Sequence, residues 1–487
     1  MTRKQLFTVL LFIGLFAIAS GPAVDPDLGW HLRTGALIAN SHHIPHQDPF
    51  SFTYAGEPWT AHEWLSDLAI YGLWRLGGTG ALILFFATVI AAAFAFIYSR
   101  CQARPFGAGV LLLWGAVVTV PSWGVRPQMF TLLLASAFLF ILDRYLCTDR
   151  ARLLYCLPAL MVVWVNLHAG YAIGIALVIL YAIAEVPASF ATARNNDQRH
   201  ERHVRLKLLS LAALACITAI PLNPNGFRLY LYPFQTLGAP SMMRYIREWF
   251  SPDFHQGIYR VLLLFVAFTV IVLARARRRP DLREVLLLLF TLAAALTSAR
   301  HIPFFVLVAV PILSRRMPES IGSFRIAGSL EEAPTPVRSA VHFAVAVAAV
   351  VAAGIQIGSV LHKQDVAERA VFPVAAVKYM DEHAVSGPLY NNYDWGGYLI
   401  EHGYRVYVDG RADLYGDDFL TSSIRVYGAQ GDWSTPLQQY GVQTVLIGAH
   451  APLATVLRES REWQSLYEDS SAAVFTRRSG SDHLELK

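Results

Sequence analysis

Apolar runs long enough to cross a bilayer recur along the whole chain, and they exclude most folds before any motif is read. A spanning helix needs about 17–25 mostly apolar residues. Runs of this kind, some of them short, lie near residues 5–23, 79–99, 106–122, 128–145, 152–167, 170–190, 206–222, 259–275, 283–298, 301–314 and 339–361, which makes about eleven spans. The chain of 487 residues is 55% hydrophobic and 15% charged, with a mean hydropathy of +0.40. It has too little polar surface to coat so many apolar segments in water. The expected class is therefore mainly α, a polytopic transmembrane helical bundle. Residues 64–78 (WLSDLAIYGLWRLGG) carry Asp67 and Arg75 and are too short to span, so they read as an amphipathic helix at the interface.

Charge then orients the bundle. The net charge of +5 sits in short basic clusters between apolar runs, the pattern of topology signals rather than of a nucleic-acid face. With the N-terminal MTRK inside, the alternate connections 100–104, 143–152, 194–207, 275–283 and 315–316 are all rich in Arg and Lys. The connections 25–63, 122–128, 166–170, 223–256 and 298–301 carry fewer basic residues and more His, Asn, Trp and Pro. The alternation is unbroken, and an odd number of spans leaves the C-terminal region outside. The cytoplasmic clusters read as solvated orientation signals. The apolar run after MTRK resembles a signal peptide, but it is long and Pro22-Ala23-Val24-Asp25 lacks a small-x-small cleavage pattern, so it reads as a retained anchor. Cys101, Cys147, Cys156 and Cys216 show no metal-ligand spacing, and none falls in the first polar loop or the C-terminal region, so no disulfide framework is expected there.

The first external loop, 24–64, concentrates ionisable groups at the membrane boundary: Asp25, Asp27, His31, Arg33, Asp48, His62 and Glu63. Such groups are costly there unless water, a partner or a substrate satisfies them, which makes them functional candidates. Asp25 and Asp27 flank a proline, and a spacing of two in extended chain puts both carboxylates on one side. A partly desolvated carboxylate suits a general base that takes a proton from an alcohol. Equally, Asp27 fits the N-cap of a helix through LGWHLRTGALIAN. His31 lies four residues on and reads first as an interfacial side chain, with a proton relay or a metal ligand as the alternatives. His62-Glu63 precedes Trp64 but lacks the second histidine of HExxH, so a divalent metal stays open without a diagnostic ligand set. Trp30, Trp59, Trp64, Trp74 and Trp123 fit an aromatic belt.

On the same external face lie Arg126, His168, Asn223, Asn225, Arg228, Glu248, Asp253, Arg300 and His301. Arginine offers a bidentate fork to phosphate, and a lipid headgroup or an internal carboxylate would use it equally well. Asn223-Pro224-Asn225-Gly226 is first a turn, and Glu248-Trp249 reads as a loop anchor. From about Asp365 strands and helices alternate: AVKYMDEHA as a helix, GPLYNN as a strand, DWGGYLIEHG as a turn entering a helix, RVYVDGR, QTVLIGA and SAAVFTRR as strands, and PLATVLRES as a helix. Residues 363–487 thus form an extracytoplasmic α/β domain behind a transmembrane domain, 1–362. Asp409 and Arg411 are expected to pair and close a loop. Gly396-Gly397 lacks the spacing of a phosphate loop.

A carboxylate-bearing first external loop with a juxtamembrane helix, about eleven spans and a C-terminal α/β domain resemble the GT-C glycosyltransferases, polytopic enzymes that use polyprenyl-phosphate-linked sugars. The strings DLGWHLRTG, VRPQMF, NLHAGY, NPNGFRLYLYP, ARHIPFF, YDWGGYL and DGRADLYG resemble a bacterial group placed near that superfamily. The resemblance implies a lipid-linked sugar donor, a glycan, lipid or protein acceptor, a bacterial inner-membrane location and inversion at the anomeric carbon. A first-loop acid activates the acceptor hydroxyl. Cationic groups, in some members with a divalent metal, stabilise the leaving phosphate. Carried onto this chain, Asp27 or Asp25 is the base, with Glu63 the alternative. Arg126, Arg300 and His301 would hold the phosphate, with His31, His62 and His168 beside the substrate. The other reading is a non-catalytic envelope protein that binds a lipid-linked glycan or a protein partner. A transporter fits less well, because no inverted repeat or matched helix break is evident.

Overall fold

The computed structural model describes residues 1–102, 105–190, 196–320 and 335–478. Arg104, Arg194 and residues 479–487 of the expected C-terminal domain lie outside them. Each apolar run coincides with helical chain. Among the described residues six helices are long and apolar enough to cross a membrane: Trp64–Arg100, Pro105–Ser122, Gln128–Thr148, Arg199–Leu222, Gly257–Arg275 and Pro336–His362. Ala151–Leu167 and Tyr171–Pro187 are shorter apolar helices. The protein is a mainly α, multi-pass membrane protein with a small C-terminal sheet.

Contacts divide the chain into two compact units. The first comprises residues 1–21, 83–233 and 246–361; the second comprises 22–82, 234–245 and 362–487. The second unit thus joins the first polar loop to the C-terminal region. The helix Trp64–Arg100 breaks at Gly77 and Gly78, where Gly78 takes a positive φ of 59°. That break separates the amphipathic residues 64–78 from the apolar run beyond.

In the first unit, Ile302–Ser320 is the central helix. Its residues 302–313 are apolar on every side, and such a stretch must be buried all round; Ile302, Phe305, Val306, Leu307, Val308, Val310 and Leu313 are all buried. Leu282–Thr297, Gly257–Arg275 and Pro105–Thr119 pack around it. The basic clusters expected as solvated signals are partly internal. Arg100 is buried, donating to Asp143 at 2.9 Å and to the Leu307 carbonyl at 2.7 Å, while Tyr181 also donates to Asp143. Arg315 and Arg316 both pair with the buried Glu284. A guanidinium at a helix end within an apolar bundle loses water and needs a carboxylate in its place.

The second unit is built on a four-stranded sheet, β1 (Leu389–Asn391), β2 (Thr444–Gly448), β3 (Trp463–Glu468) and β4 (Ala472–Arg477), in the order β1-β2-β4-β3. β1 and β2 are parallel; β4 runs antiparallel to both its neighbours. β1 and most of β2 are buried. The expected strands at GPLYNN, QTVLIGA and SAAVFTRR are therefore present, and so are the helices at 376–384 and 452–460. RVYVDGR is not a strand. Only Val406 makes bridges, to Leu389 and to Ser51. The reason is local: the Asn391 amide donates to the Val408 carbonyl and accepts from the Tyr407 N–H, so a side chain takes the place of the ladder. Strand β3 and the helices Ala412–Tyr427 and Ser434–Gln439 were not legible as elements in the sequence.

One buried ion cluster fastens the loop to the C-terminal region. Arg411 donates from Nε and Nη2 to both oxygens of Asp409, at 2.8 and 2.7 Å, and from Nη1 to Asp48 at 2.7 Å. The expected Asp409–Arg411 pair is thus present, with Asp48 as a third member. Tyr415 donates to Asp409, and the Phe50 and Ser51 N–H groups donate to Asp48. The Arg411 guanidinium lies against the rings of Phe50 and Trp59, 5.1 and 4.7 Å from their centroids. Burial disfavours its charge, but the two carboxylates outweigh burial and hold its pKa well above the ordinary arginine value. Removing one partner from such a cluster strands an uncompensated charge, at a cost of about 3–5 kcal/mol. Arg411→Met is expected to lower the melting temperature of the detergent-purified chain by several degrees, and Arg411→Lys to recover little, because lysine lacks the planar fork. Melting unchanged in Arg411→Met would refute the anchoring role.

Candidate active site

The Asp-Pro-Asp turn opens the helix Leu28–Ser41. The Asp25 carboxylate accepts the Asp27 N–H at 2.9 Å, a local turn that commits Asp25 to the backbone. Asp27 stands at the N-cap position but its side chain makes no capping bond. Its Oδ1 instead accepts the Trp30 indole N–H at 3.1 Å. The capping expectation for Asp27 therefore fails, because the indole one turn on takes the carboxylate. The hydroxyl of Tyr393 donates to the Gly410 carbonyl at 3.3 Å. Burial and then the charge of Asp27 push its pKa well above the ordinary tyrosine value.

His31 lies one turn after Asp27 and is buried, with its ring 3.6 Å from that of Trp30. Its Nδ1–H donates to Asp67 at 2.6 Å, and its Nε2 lies 3.9 Å from Glu63 Oε2. Glu63 Oε1 accepts in turn from His62 Nε2 at 3.1 Å. Asp67, His31, Glu63 and His62 therefore form a line of alternating acids and imidazoles. Glu63 and Asp67 are one helical turn apart, which puts both on one face of the helix starting at Trp64. Burial opposes a charge on His31, but the hydrogen bond and charge of Asp67, with Glu63 and Asp27 behind it, leave its pKa raised. Burial likewise opposes a charge on His62; Glu63 outweighs it, and the pKa rises to about 9. His62 is thus cationic at neutral pH. The sequence marks Asp67 only as a polar residue of the interfacial helix; its i+4 spacing from Glu63 is the signal that links the two.

The first unit gathers the expected cations around one segment, Arg247–Trp249. Arg126 Nη1 donates to Glu248 and its Nε to Gln128. Arg300 stacks over the Trp249 ring, 4.4 Å from its centroid, and His301 meets the same ring edge-on at 6.0 Å. The Ser298 hydroxyl donates to the Glu248 carbonyl, and the Ala299 N–H to that of Phe250. Burial raises a carboxyl's pKa, but Arg126, then Arg300 and His168, outweigh it and hold Glu248 below its ordinary value. Glu248-Trp249 is a loop anchor, as expected, and also the organiser of both arginines. Glu248 thus feels two guanidinium groups, Arg126 through an ion pair and Arg300 through space. His168 is buried in a turn, where its Nδ1 accepts the Gly170 N–H at 3.0 Å and contacts the Thr131 hydroxyl at 2.8 Å.

Asp25, Asp27, His31, His62 and Glu63 are thus brought together within the second unit, and Arg126, Arg300 and His301 within the first. Among the described residues no group of three or more His, Cys, Asp and Glu is placed to hold a metal ion. The acids and histidines of the loop bond one another in sequence.

No protein-family model and no curated protein sequence matches the chain. Solved structures do. The archaeal oligosaccharyltransferase AglB from Archaeoglobus fulgidus, in complex with an inhibitory peptide and a dolichol-phosphate, aligns with a TM-score of 0.52 at 11% identity, over 99% of this chain and 75% of that one. ArnT from Cupriavidus metallidurans, bound to undecaprenyl phosphate, aligns with a TM-score of 0.50 at 16% identity, over 98% of each chain. The chain shares its fold with these two structures. At these identities the likeness is one of fold. The polytopic architecture expected from the sequence aligns with these structures over nearly the whole chain.

The His62–Glu63 pair gives the first loop a pH signature. Folding raises the His62 pKa from 6.5 to about 9, so it is the protonated form that folding stabilises. That contribution is complete below about pH 6.5 and is lost as pH rises through about 9. Melting temperature is expected to fall between pH 7 and pH 9.5, and His62→Gln to flatten that fall. An unchanged slope in His62→Gln would contradict the pairing.

Proposed function

We propose that this protein is a membrane glycosyltransferase that moves a sugar from a polyprenyl-phosphate donor to an acceptor hydroxyl, with inversion. The observation that carries the reading is a first-loop carboxylate, Asp27, held beside a buried acid–imidazole line in a GT-C fold. AglB and ArnT, whose structures share the fold, are respectively an oligosaccharyltransferase complexed with dolichol-phosphate and a protein bound to undecaprenyl phosphate, which supports a lipid-phosphate donor here.

Asp27 is the general base of this reading. Each of the three acids is engaged, Asp25 by the Asp27 N–H, Glu63 by His62 and Asp27 by the Trp30 indole, and the resemblance of the first loop selects Asp27. Its carboxylate accepts the proton of the acceptor hydroxyl as that oxygen forms its bond to the anomeric carbon, and the sugar–phosphate bond breaks on the opposite face. The lipid phosphate leaves with the bonding pair. Arg126 and Arg300 supply the positive charge that this developing anion requires. Glu63 and Asp67, with His31 and His62 between and beside them, fix the loop rather than take the proton. The one-sided distribution of basic residues supports a cytoplasmic N-terminus, with the first loop and the C-terminal region on the extracytoplasmic face of a bacterial inner membrane.

Losing a positioned base slows proton transfer by about 10²–10⁴-fold. With purified full-length chain, undecaprenyl-phosphate-linked sugars and an envelope extract as acceptor, Asp27→Asn is expected to lower kcat by that factor with little change in donor KM. Arg126→Gln and Arg300→Gln are expected to raise donor KM as well as lower kcat. Full activity in Asp27→Asn, Asp25→Asn and Glu63→Gln alike would overturn the reading. A chain that binds these lipids without turnover would be a non-catalytic binder.

A further inference from the structure

The motif Asp409-Gly410-Arg411 lies far from the first loop in sequence, and its glycine has no part in the ion cluster that its two neighbours form. A side chain at Gly410 would meet the Asp27 carboxylate. A Cβ built there would fall 1.7 Å from Asp27 Oδ1 and 2.8 Å from its Cγ. The carboxylate of the candidate base therefore occupies the space that any other residue at position 410 would fill. The strictness does not come from backbone conformation, because Gly410 is not among the residues with positive φ.

The same elements interlock at neighbouring points. A Cβ at Gly29 would fall 2.1 Å from the Gly397 carbonyl oxygen, and one at Gly397 would fall 2.1 Å from that of Pro26. One at Gly396 would fall 2.5 Å from the Asp409 Cβ. The Asp-Pro-Asp turn is thus pressed onto the YDWGG turn and the DGR turn with nothing but glycine between. Tyr393, from the first of these turns, bonds the Gly410 carbonyl from the other side. Arg411, the next residue, is locked by Asp409 and Asp48, so the DGR turn has no freedom to retreat.

We infer that Gly410 is a positioning residue for the transfer reaction: the DGR turn of the C-terminal region is the surface against which the Asp27 carboxylate is set. The inference rests on the transferase reading above. Ordinary contact begins near 3.4 Å, so an alanine at position 410 drives the carboxylate back by well over an ångström. A displacement of about 1 Å in a reacting group costs about 10²-fold in rate.

The test uses the purified full-length chain with the undecaprenyl-phosphate sugar donors and envelope extract already described. Gly410→Ala is expected to lower kcat about 10²-fold while donor KM changes less than about threefold, as fits a displaced reacting group and an intact donor site. In the Asp27→Asn background the same substitution is expected to cost nothing further, since the group it displaces no longer acts. A purely structural role would lower the residual activity there too. Gly410→Ala combined with Asp27→Gly is expected to melt higher than Gly410→Ala alone, because the clash is gone. Should Gly410→Ala fail to fold, Trp30→Phe serves instead: it removes the indole donor from the carboxylate, and it too is expected to lower kcat only where Asp27 is present. If wild type turns over, Asp27→Asn does not, and Gly410→Ala keeps kcat within about threefold of wild type where the inference requires about 10²-fold, the inference fails and the transferase reading stands. If wild type is inert with every donor, or Asp27→Asn is fully active, the transferase reading and its assignment of the base fail first.

Discussion

The second unit depends on a guanidinium that has been taken out of water. Arg411 sits between Asp409 and Asp48, with the faces of Phe50 and Trp59 against it, and every one of these groups is buried. A buried ion cluster of this kind is weak evidence for stability, since a well-packed apolar set of equal volume often does as well. What it supplies is geometry. The planar fork accepts only one arrangement of two carboxylates that are more than three hundred and sixty residues apart in the chain, and that arrangement brings the first loop onto the C-terminal turns. Asp27, Trp30 and Gly410 inherit their positions from it.

Around that anchor the loop's charges are satisfied in a chain rather than one by one. Asp67 takes His31, His31 faces Glu63, and Glu63 takes His62. Four ionisable groups at a membrane boundary would each be expensive alone. Arranged in alternation, each carboxylate stabilises an imidazolium and each imidazolium a carboxylate, so the local charge is nearly balanced. Asp27 stands at one end of this set, close enough to add to the field on His31. In the first unit, Glu248 does for Arg126 what the loop acids do for the histidines, but with two guanidinium groups to one carboxylate.

How much of this the sequence disclosed depended on the range of the physics involved. The helical class came from apolar run length, which is local, and every run did become helix. The break at Gly77-Gly78 came from polar residues in 64–78, also local. The pairing of Asp409 with Arg411 was legible because the two are neighbours in sequence. What stayed hidden was long-range or inverted in sense. Asp48 could not be linked to Arg411, because nothing near either residue names the other. Asp27 has the sequence of an N-cap and is not one, since Trp30 competes for its oxygen. RVYVDGR has the composition of a strand, but the Asn391 amide replaces its ladder. Gly410 carried no signal at all, because the space it leaves is filled from the other end of the chain.

The central claim is that a first-loop carboxylate acts as a base rather than as a nucleophile, and the configuration of the product decides that most directly. A base leaves one displacement at the anomeric carbon and therefore inversion; a carboxylate nucleophile gives two displacements and retention. Nuclear magnetic resonance of the product formed by the purified chain from an undecaprenyl-phosphate sugar of known anomeric configuration reads this in one experiment. The account predicts a product inverted at that carbon. A product with retained configuration, or no transfer from any such donor, would contradict it.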